Sequence, residues 1–143
     1  MNLVSKFFEE LTASELYEIL KARSQIFVVE QNCVYQDIDG NDYRSLHVFY
    51  EENGRVLAYL RSFYIERDVV KMGRVLTVQH GIGLGGMLLK EGIGQIRAKQ
   101  APKRIYIEAQ SYATGFYARE GFKICSDEFS EDGIPHKKME LEL

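Results

Sequence analysis

Apolar and polar positions change period several times along the chain, and each change marks an element. Leu16, Ile19, Leu20 and Arg23 fall on one face of a helix. Thr12 or Ser14 can cap it, and Glu15 is spaced to complete a capping box with Thr12. The helix is expected to end near Ile26 or Phe27, ahead of the apolar run Phe27-Val28-Val29. Asp37-Ile38-Asp39-Gly40-Asn41-Asp42 is dense in turn formers and reads as a loop. Leu46–Tyr50 and Val56–Phe63 read as strands joined by a hairpin at Glu51-Glu52-Asn53-Gly54-Arg55. A second turn lies near Asp68 and Val69, and Gly73–Val78 forms the next strand.

The main helix follows and runs to about Gln100, where Ala101-Pro102 stops it. Gly92 and Gly94 are costly inside it, and close packing on a sheet would compensate. Arg104–Ala109 alternates as a strand. A short helix fits Ala113–Glu120, with Gly121 in the left-handed cap position. Phe122–Ser126 and Lys137–Leu143 pair as final strands around Glu131-Asp132-Gly133. The order is helix, antiparallel meander, helix, strand, helix, hairpin. This is an α/β fold with a mixed, mostly antiparallel sheet flanked by helices, in one domain over residues 1–143.

Composition adds limits. The chain is 45% hydrophobic and 27% charged, as in ordinary globular proteins. No apolar run is long enough for a membrane span. The N-terminus, with Glu9 and Glu10, does not resemble a secretory signal. Cys33 and Cys125 lack metal-ligand spacing and read as reduced thiols of a cytoplasmic protein. His47, His80 and His136 show no ligand spacing either, so no metal is expected. A net charge of -3 argues against nucleic acid as the main partner.

The densest chemical signal is His80-Gly81-Ile82-Gly83-Leu84-Gly85-Gly86, between a strand and a helix start. Backbone N–H groups brought together in this way can hold a pyrophosphate. The lysine and hydroxyl of an ATP-binding loop are missing, since Met87 and Leu88 follow. A dinucleotide fold would place its glycines in the first strand-turn-helix, whereas these lie past the chain midpoint after a meander.

In these residues the chain resembles the GCN5-related N-acetyltransferases (GNAT), and among them the ElaA-like group. The central family motif is matched by His80–Gly85, and the later one by Phe116-Tyr117-Ala118-Arg119-Glu120-Gly121-Phe122. The ElaA-like segments are Phe27–Gly40, Gly73-Arg74-Val75, Glu108-Ala109-Gln110 and Gly133-Ile134-Pro135-His136. The likeness spans roughly residues 16–141. Two features depart from the family pattern. His80 replaces a glutamine or arginine, and Arg74-Val75 lies closer to the glycines.

The resemblance implies an acetyl-coenzyme A-dependent N-acyltransferase acting on a primary amine of a small molecule, through direct attack and a tetrahedral intermediate. It implies a cleft between splayed parallel strands, one ending near Val78 and the other Arg104–Ala109. It assigns cofactor contacts to Leu76, Val78, Gly81, Ile82, Gly83, Gly85, Gly86 and Tyr117. Tyr117 is the candidate acid for the leaving thiolate and Glu30 the candidate base. Glu30, His47, Arg61, Glu108 and His136 are candidates for binding the acceptor, with His136 in a turn between strands. Arg61 and Arg74 can instead form buried ion pairs with Glu30, Glu66 or Asp39. Homodimerisation is a further implication. Two other readings stand beside this one: a non-catalytic acyl-coenzyme A-binding or interaction module, and a protein lysine acetyltransferase.

Overall fold

Thr12 caps the first long helix as its spacing requires. Its Oγ1 accepts from the Glu15 amide at 3.1 Å, and Glu15 Oε1 accepts from the Thr12 amide at 2.8 Å. The computed structural model describes residues 1–143. The elements are β1 (Asn2–Phe7), α1 (Ala13–Arg23), β2 (Leu46–Glu52), β3 (Arg55–Glu66), β4 (Val69–Thr77), α2 (Leu84–Lys99), β5 (Arg104–Gln110), α3 (Thr114–Ala118), β6 (Lys123–Ile124), β7 (Phe129–Glu131) and β8 (Ile134–Glu142).

The strands form one sheet in the order β1-β2-β3-β4-β5-β8-β6, with β7 also on β8. Only β4 and β5 are parallel. The two faces carry separate cores. α2 packs its Leu88, Leu89, Ile93 and Ile96 against Val48, Leu60, Val70, Ile105, Ile107 and Met139. On the other face Ile19 and Ala22 of α1, with Ile26 just beyond its end, pack against Phe49, Tyr59 and Leu76. Alternation along each strand sorts its side chains between the two layers.

The expected order of elements is present, with differences at several boundaries. β1 precedes the meander and pairs with β2, an element that the periodicity did not reveal. The end of α1 widens into a π-helical stretch, Ser24–Glu30, so Phe27-Val28-Val29 remains helical. β4 begins at Val69 and β8 at Ile134. Pro135 and His136 are therefore strand residues rather than part of a turn. The strand expected over Phe122–Ser126 is reduced to Lys123–Ile124, and β7 supplies the hairpin. Gly121 has φ 102°, the left-handed conformation expected of it. No helix is long and apolar enough to cross a membrane.

Candidate active site

β4 and β5 pair only from Val69–Lys71 to Arg104–Tyr106. Beyond that point β4 follows β3 and β5 follows β8, and the sheet opens between them. The opening is a cleft of about 800 Å³. A bulge in β4 helps turn the strand away. Tyr59 opposes Leu76 while Arg61 opposes Gly73, so two steps on β3 face three on β4. Arg74 occupies the bulge with φ 51°.

The bulge is held from outside the sheet. Arg74 Nε donates to Asp37 Oδ1 at 2.8 Å, and its guanidinium lies 5.3 Å from the Tyr35 ring centre. Past the bulge, the Val78 amide donates to the Leu57 carbonyl at 2.9 Å. The alternation of an antiparallel ladder turns the Leu76 amide the same way, toward β3. The expected Leu76 and Val78 amides are thus taken up by the sheet. Those directed to the cleft belong to Val75 and Thr77, one residue out of the expected register.

The glycine loop borders this opening. Gly81 and Gly83 have φ 81° and 77°, which side chains other than glycine rarely adopt. α2 then begins at Leu84 with no side-chain cap. The first amides of a helix have no partner within it, so those of Leu84, Gly85 and Gly86 are free to meet an anion. Ile82 is exposed beside them. A Cβ on Gly85 would lie 3.6 Å from the Phe116 ring and from Thr77, which brings β4, α2 and α3 to one point.

His80 Nε2 lies 2.7 Å from Glu30 Oε1, and Nδ1 lies 3.4 Å from Thr77 Oγ1. His80 therefore ties the loop to the end of the π-helical stretch. Glu30 is not among the cleft-lining residues, so its expected place in the acceptor site gives way to this bracing contact.

Tyr117 lines the cleft on the α2 side of the sheet. Its ring packs edge-on to Phe116 and Phe122, with centres 5.0 and 5.9 Å apart. Its hydroxyl has no hydrogen-bond partner in the protein. Burial pushes its pKa above the ordinary tyrosine value, with a smaller contribution from Tyr112. The phenol thus carries its proton throughout the neutral range.

Polar groups gather on the opposite face. Ile105, Ile107 and Ala109 point into the α2 core, so Tyr106, Glu108 and Gln110 point away from it. Glu108 accepts from Lys71 Nζ at 2.8 Å and from the Tyr106 hydroxyl at 3.0 Å. Burial alone would raise this carboxyl, but Lys71 and Tyr106 override it and hold it below its ordinary value. His136 lies opposite Gln110 in the β5–β8 ladder and is 8% exposed. Its ring stacks on Phe129, Nδ1 is 2.7 Å from the Ile134 carbonyl, and Nε2 is 3.5 Å from Glu131 Oε2. Glu108 and His136 both line the cleft.

His47 and Arg61, two expected acceptor-binding residues, are sealed in the protein. His47 is fully buried: the Tyr59 hydroxyl is 2.6 Å from Nδ1 and the Asp42 carbonyl 2.9 Å from Nε2. A carbonyl only accepts, so the proton sits on Nε2 and Tyr59 donates to Nδ1. Arg61 grips Asp39 with two nitrogens, at 2.8 and 2.6 Å, and reaches Asp42 at 2.9 Å. Of the ion-pair partners expected for it, Asp39 is the one present.

Arg23 completes this network, donating to Asp37 at 3.0 Å and to Asp42 at 2.6 Å. The signal for it was in the sequence, since Arg23 lies on the apolar face of α1 and a charge there needs a buried partner. Thr77, Tyr112 and Lys71 also line the cleft without a motif that marks them, as does Tyr35 from the segment Phe27–Gly40.

A family model described as an acetyltransferase (GNAT) domain matches residues 10–143. The protein ElaA of Escherichia coli K12 is 36% identical over 140 residues, covering 94% of this chain and 92% of its own. A UPF0039 protein of Schizosaccharomyces pombe is 35% identical over 147 residues, covering 100% and 98%. Among solved structures, that of Escherichia coli ElaA superposes with a TM-score of 0.93 at 33% identity, over 99% of this chain and 100% of that one. An acyl-CoA N-acyltransferase from Pseudomonas aeruginosa gives 0.92 at 33% identity, over 98% and 99%.

Proposed function

Because the chain belongs to the GNAT acetyltransferase family, we propose that it moves an acetyl group from acetyl-coenzyme A to the primary amine of a small molecule, by direct attack through a tetrahedral intermediate. The observation that carries this reading is the parting of β4 and β5 beside an uncapped helix start, with the unpartnered Tyr117 hydroxyl in the opening.

The pyrophosphate binds the free amides of Leu84, Gly85 and Gly86, where the helix dipole favours negative charge. The pantetheine arm enters the gap and pairs with the cleft-directed amides of Val75 and Thr77. One of these donates to the thioester oxygen and holds the oxyanion that forms on attack. Tyr117 gives the departing thiolate its proton. The amine arrives from the opposite face, past Glu108 and His136.

Two features support a small acceptor. Gln31 and Cys33 on one side, and Asp132 and Ile134 on the other, line both the cleft and a smaller cavity beside it. The acceptor end is thus bounded by two loops rather than open along a groove. Glu131 and Asp132 give that rim a negative charge, which suits an ammonium group.

Calorimetry with acetyl-coenzyme A and desacetyl-coenzyme A, followed by thiol release over a panel of primary amines, tests this reading. Gly86→Glu is the control, because a Cβ there meets no atom within 4 Å. Its carboxylate should repel the pyrophosphate and weaken binding at least about tenfold. No binding to the wild type, or no thiol release with any amine, would overturn the assignment.

A further inference from the structure

We infer that His136 is the proton acceptor for the amine substrate, with Glu131 as its charge partner. This rests on the transferase reading above and adds the group that reading lacks. An alkyl ammonium has a pKa near 10.4, so it must lose a proton before it can attack at neutral pH.

Three other cleft-lining candidates are committed. Glu108 already accepts from Lys71 and Tyr106, and Asp39 is gripped by Arg61. The His80 Nε2 faces Glu30. His136 differs from all of these. Its Nδ1 is 2.7 Å from a carbonyl oxygen, which only accepts, so Nδ1 carries the proton and Nε2 keeps its lone pair. Stacking on Phe129 and near-complete burial fix the ring. No donor is spent on Nε2, and Glu131 Oε2 lies 3.5 Å from it. An unprotonated Nε2 and a carboxylate oxygen both accept and make no bond, and the contact becomes an ion pair once Nε2 is protonated.

The arrangement follows the logic of a catalytic histidine whose far nitrogen is held by an acceptor. Here the acceptor is a backbone carbonyl within the same strand. The groups around the ring are Glu131 on β7, Asp132 in the turn, Gln110 opposite on β5, Glu108 further along β5 with its partner Lys71 from β4, and Lys138 on β8 itself.

The protons balance. The ammonium gives one proton to Nε2, and its freed lone pair forms the C–N bond at the thioester carbon. The C–S bond then breaks as sulfur takes the Tyr117 proton. The second nitrogen proton returns to the phenolate, and His136 releases its own to solvent.

The test uses the best alkyl amine of the panel and its O-alkylhydroxylamine analogue, whose nucleophilic nitrogen is already neutral at pH 7. In His136→Gln, kcat/KM for the alkyl amine should fall roughly 100-fold while that for the O-alkylhydroxylamine stays within roughly threefold. Glu131→Gln, at an exposed side chain that puts folding at little risk, should lower only the alkyl amine, by about tenfold. Equal losses for the two nucleophiles, or an unchanged ratio in either variant, would overturn the assignment. A wild type inactive with every amine would sink the transferase reading itself. An active wild type with unchanged ratios would sink only the role of His136.

Discussion

Arg74 donates to Asp37 at 2.8 Å from a residue whose backbone is left-handed, with φ 51°. The pair joins the bulge that parts β4 from β3's regular ladder to the loop that walls the cleft. Left-handed backbone costs a residue with a side chain about 1–2 kcal/mol. Arg74 bears that cost at the point where the sheet has to open.

Comparing Arg74→Gly with Arg74→Ala separates the backbone from the ion pair, because both lose the guanidinium. Glycine accepts the positive φ and alanine does not. The alanine variant should be less stable than the glycine variant by about 1 kcal/mol in urea unfolding. Equal stabilities would mean that the bulge rearranges once its anchor is removed.

Stability should fall in two stages on acidification. Burial holds His47 below the ordinary histidine value, against the opposing pull of the Asp42 carbonyl. The unfolded chain therefore binds a proton that the native ring refuses. The resulting stability is full above about pH 6.5 and is lost as pH falls from there toward the folded value.

Asp39 and Asp42 act lower on the scale. Burial would raise both carboxyls, but Arg61 and Arg23 hold them below the usual range. Their contribution is present above about pH 4 and is lost as pH falls through their folded values. Urea midpoints measured from pH 7.5 to 3 in the wild type and in His47→Asn check both stages, since only the first should flatten in the variant.

The glycines of α2 show how far the sequence could be read. Both Gly92 and Gly94 were expected to owe their place to close packing. A Cβ on Gly92 would lie 2.6 Å from Leu60 Cδ2, but one on Gly94 meets nothing within 4 Å. Helical periodicity places a residue on a face, yet it does not say how near the opposing strand comes. Gly92→Ala should thus cost about 1–2 kcal/mol through overpacking. Gly94→Ala should gain up to about 1 kcal/mol from helix propensity. Thermal unfolding of the two single variants tests the contrast, and a stabilised Gly92→Ala would mean that Leu60 yields freely.

The same limit explains the site. Local spacing revealed the glycine loop, the capping box of Thr12 and the strand–helix order, because each is a short-range pattern. The roles of His47 and Glu30 depended on contacts distant in sequence. His47 meets Tyr59 across β2 and β3, and Glu30 meets His80 fifty residues on. Nothing within either segment marks one as buried and the other as a brace. Val78 was misassigned for a different reason, since the bulge at Arg74 shifts the strand phase and a bulge has no side-chain signature.

Tyr117 offers the most direct test of the chemistry. Burial raises its pKa, so it should remain a proton donor across any practical assay range. It should therefore add no basic limb to the kcat profile below about pH 10. Tyr117→Phe keeps the edge-on contacts with Phe116 and Phe122 and removes only the hydroxyl. That hydroxyl bonds no protein atom, so folding stability should be unchanged. If it protonates the departing thiolate, kcat should fall roughly 100-fold while acetyl-coenzyme A affinity stays within roughly threefold. The opposite split, with weakened binding and an intact kcat, would make Tyr117 a wall of the cosubstrate channel and leave the thiolate to take its proton from solvent.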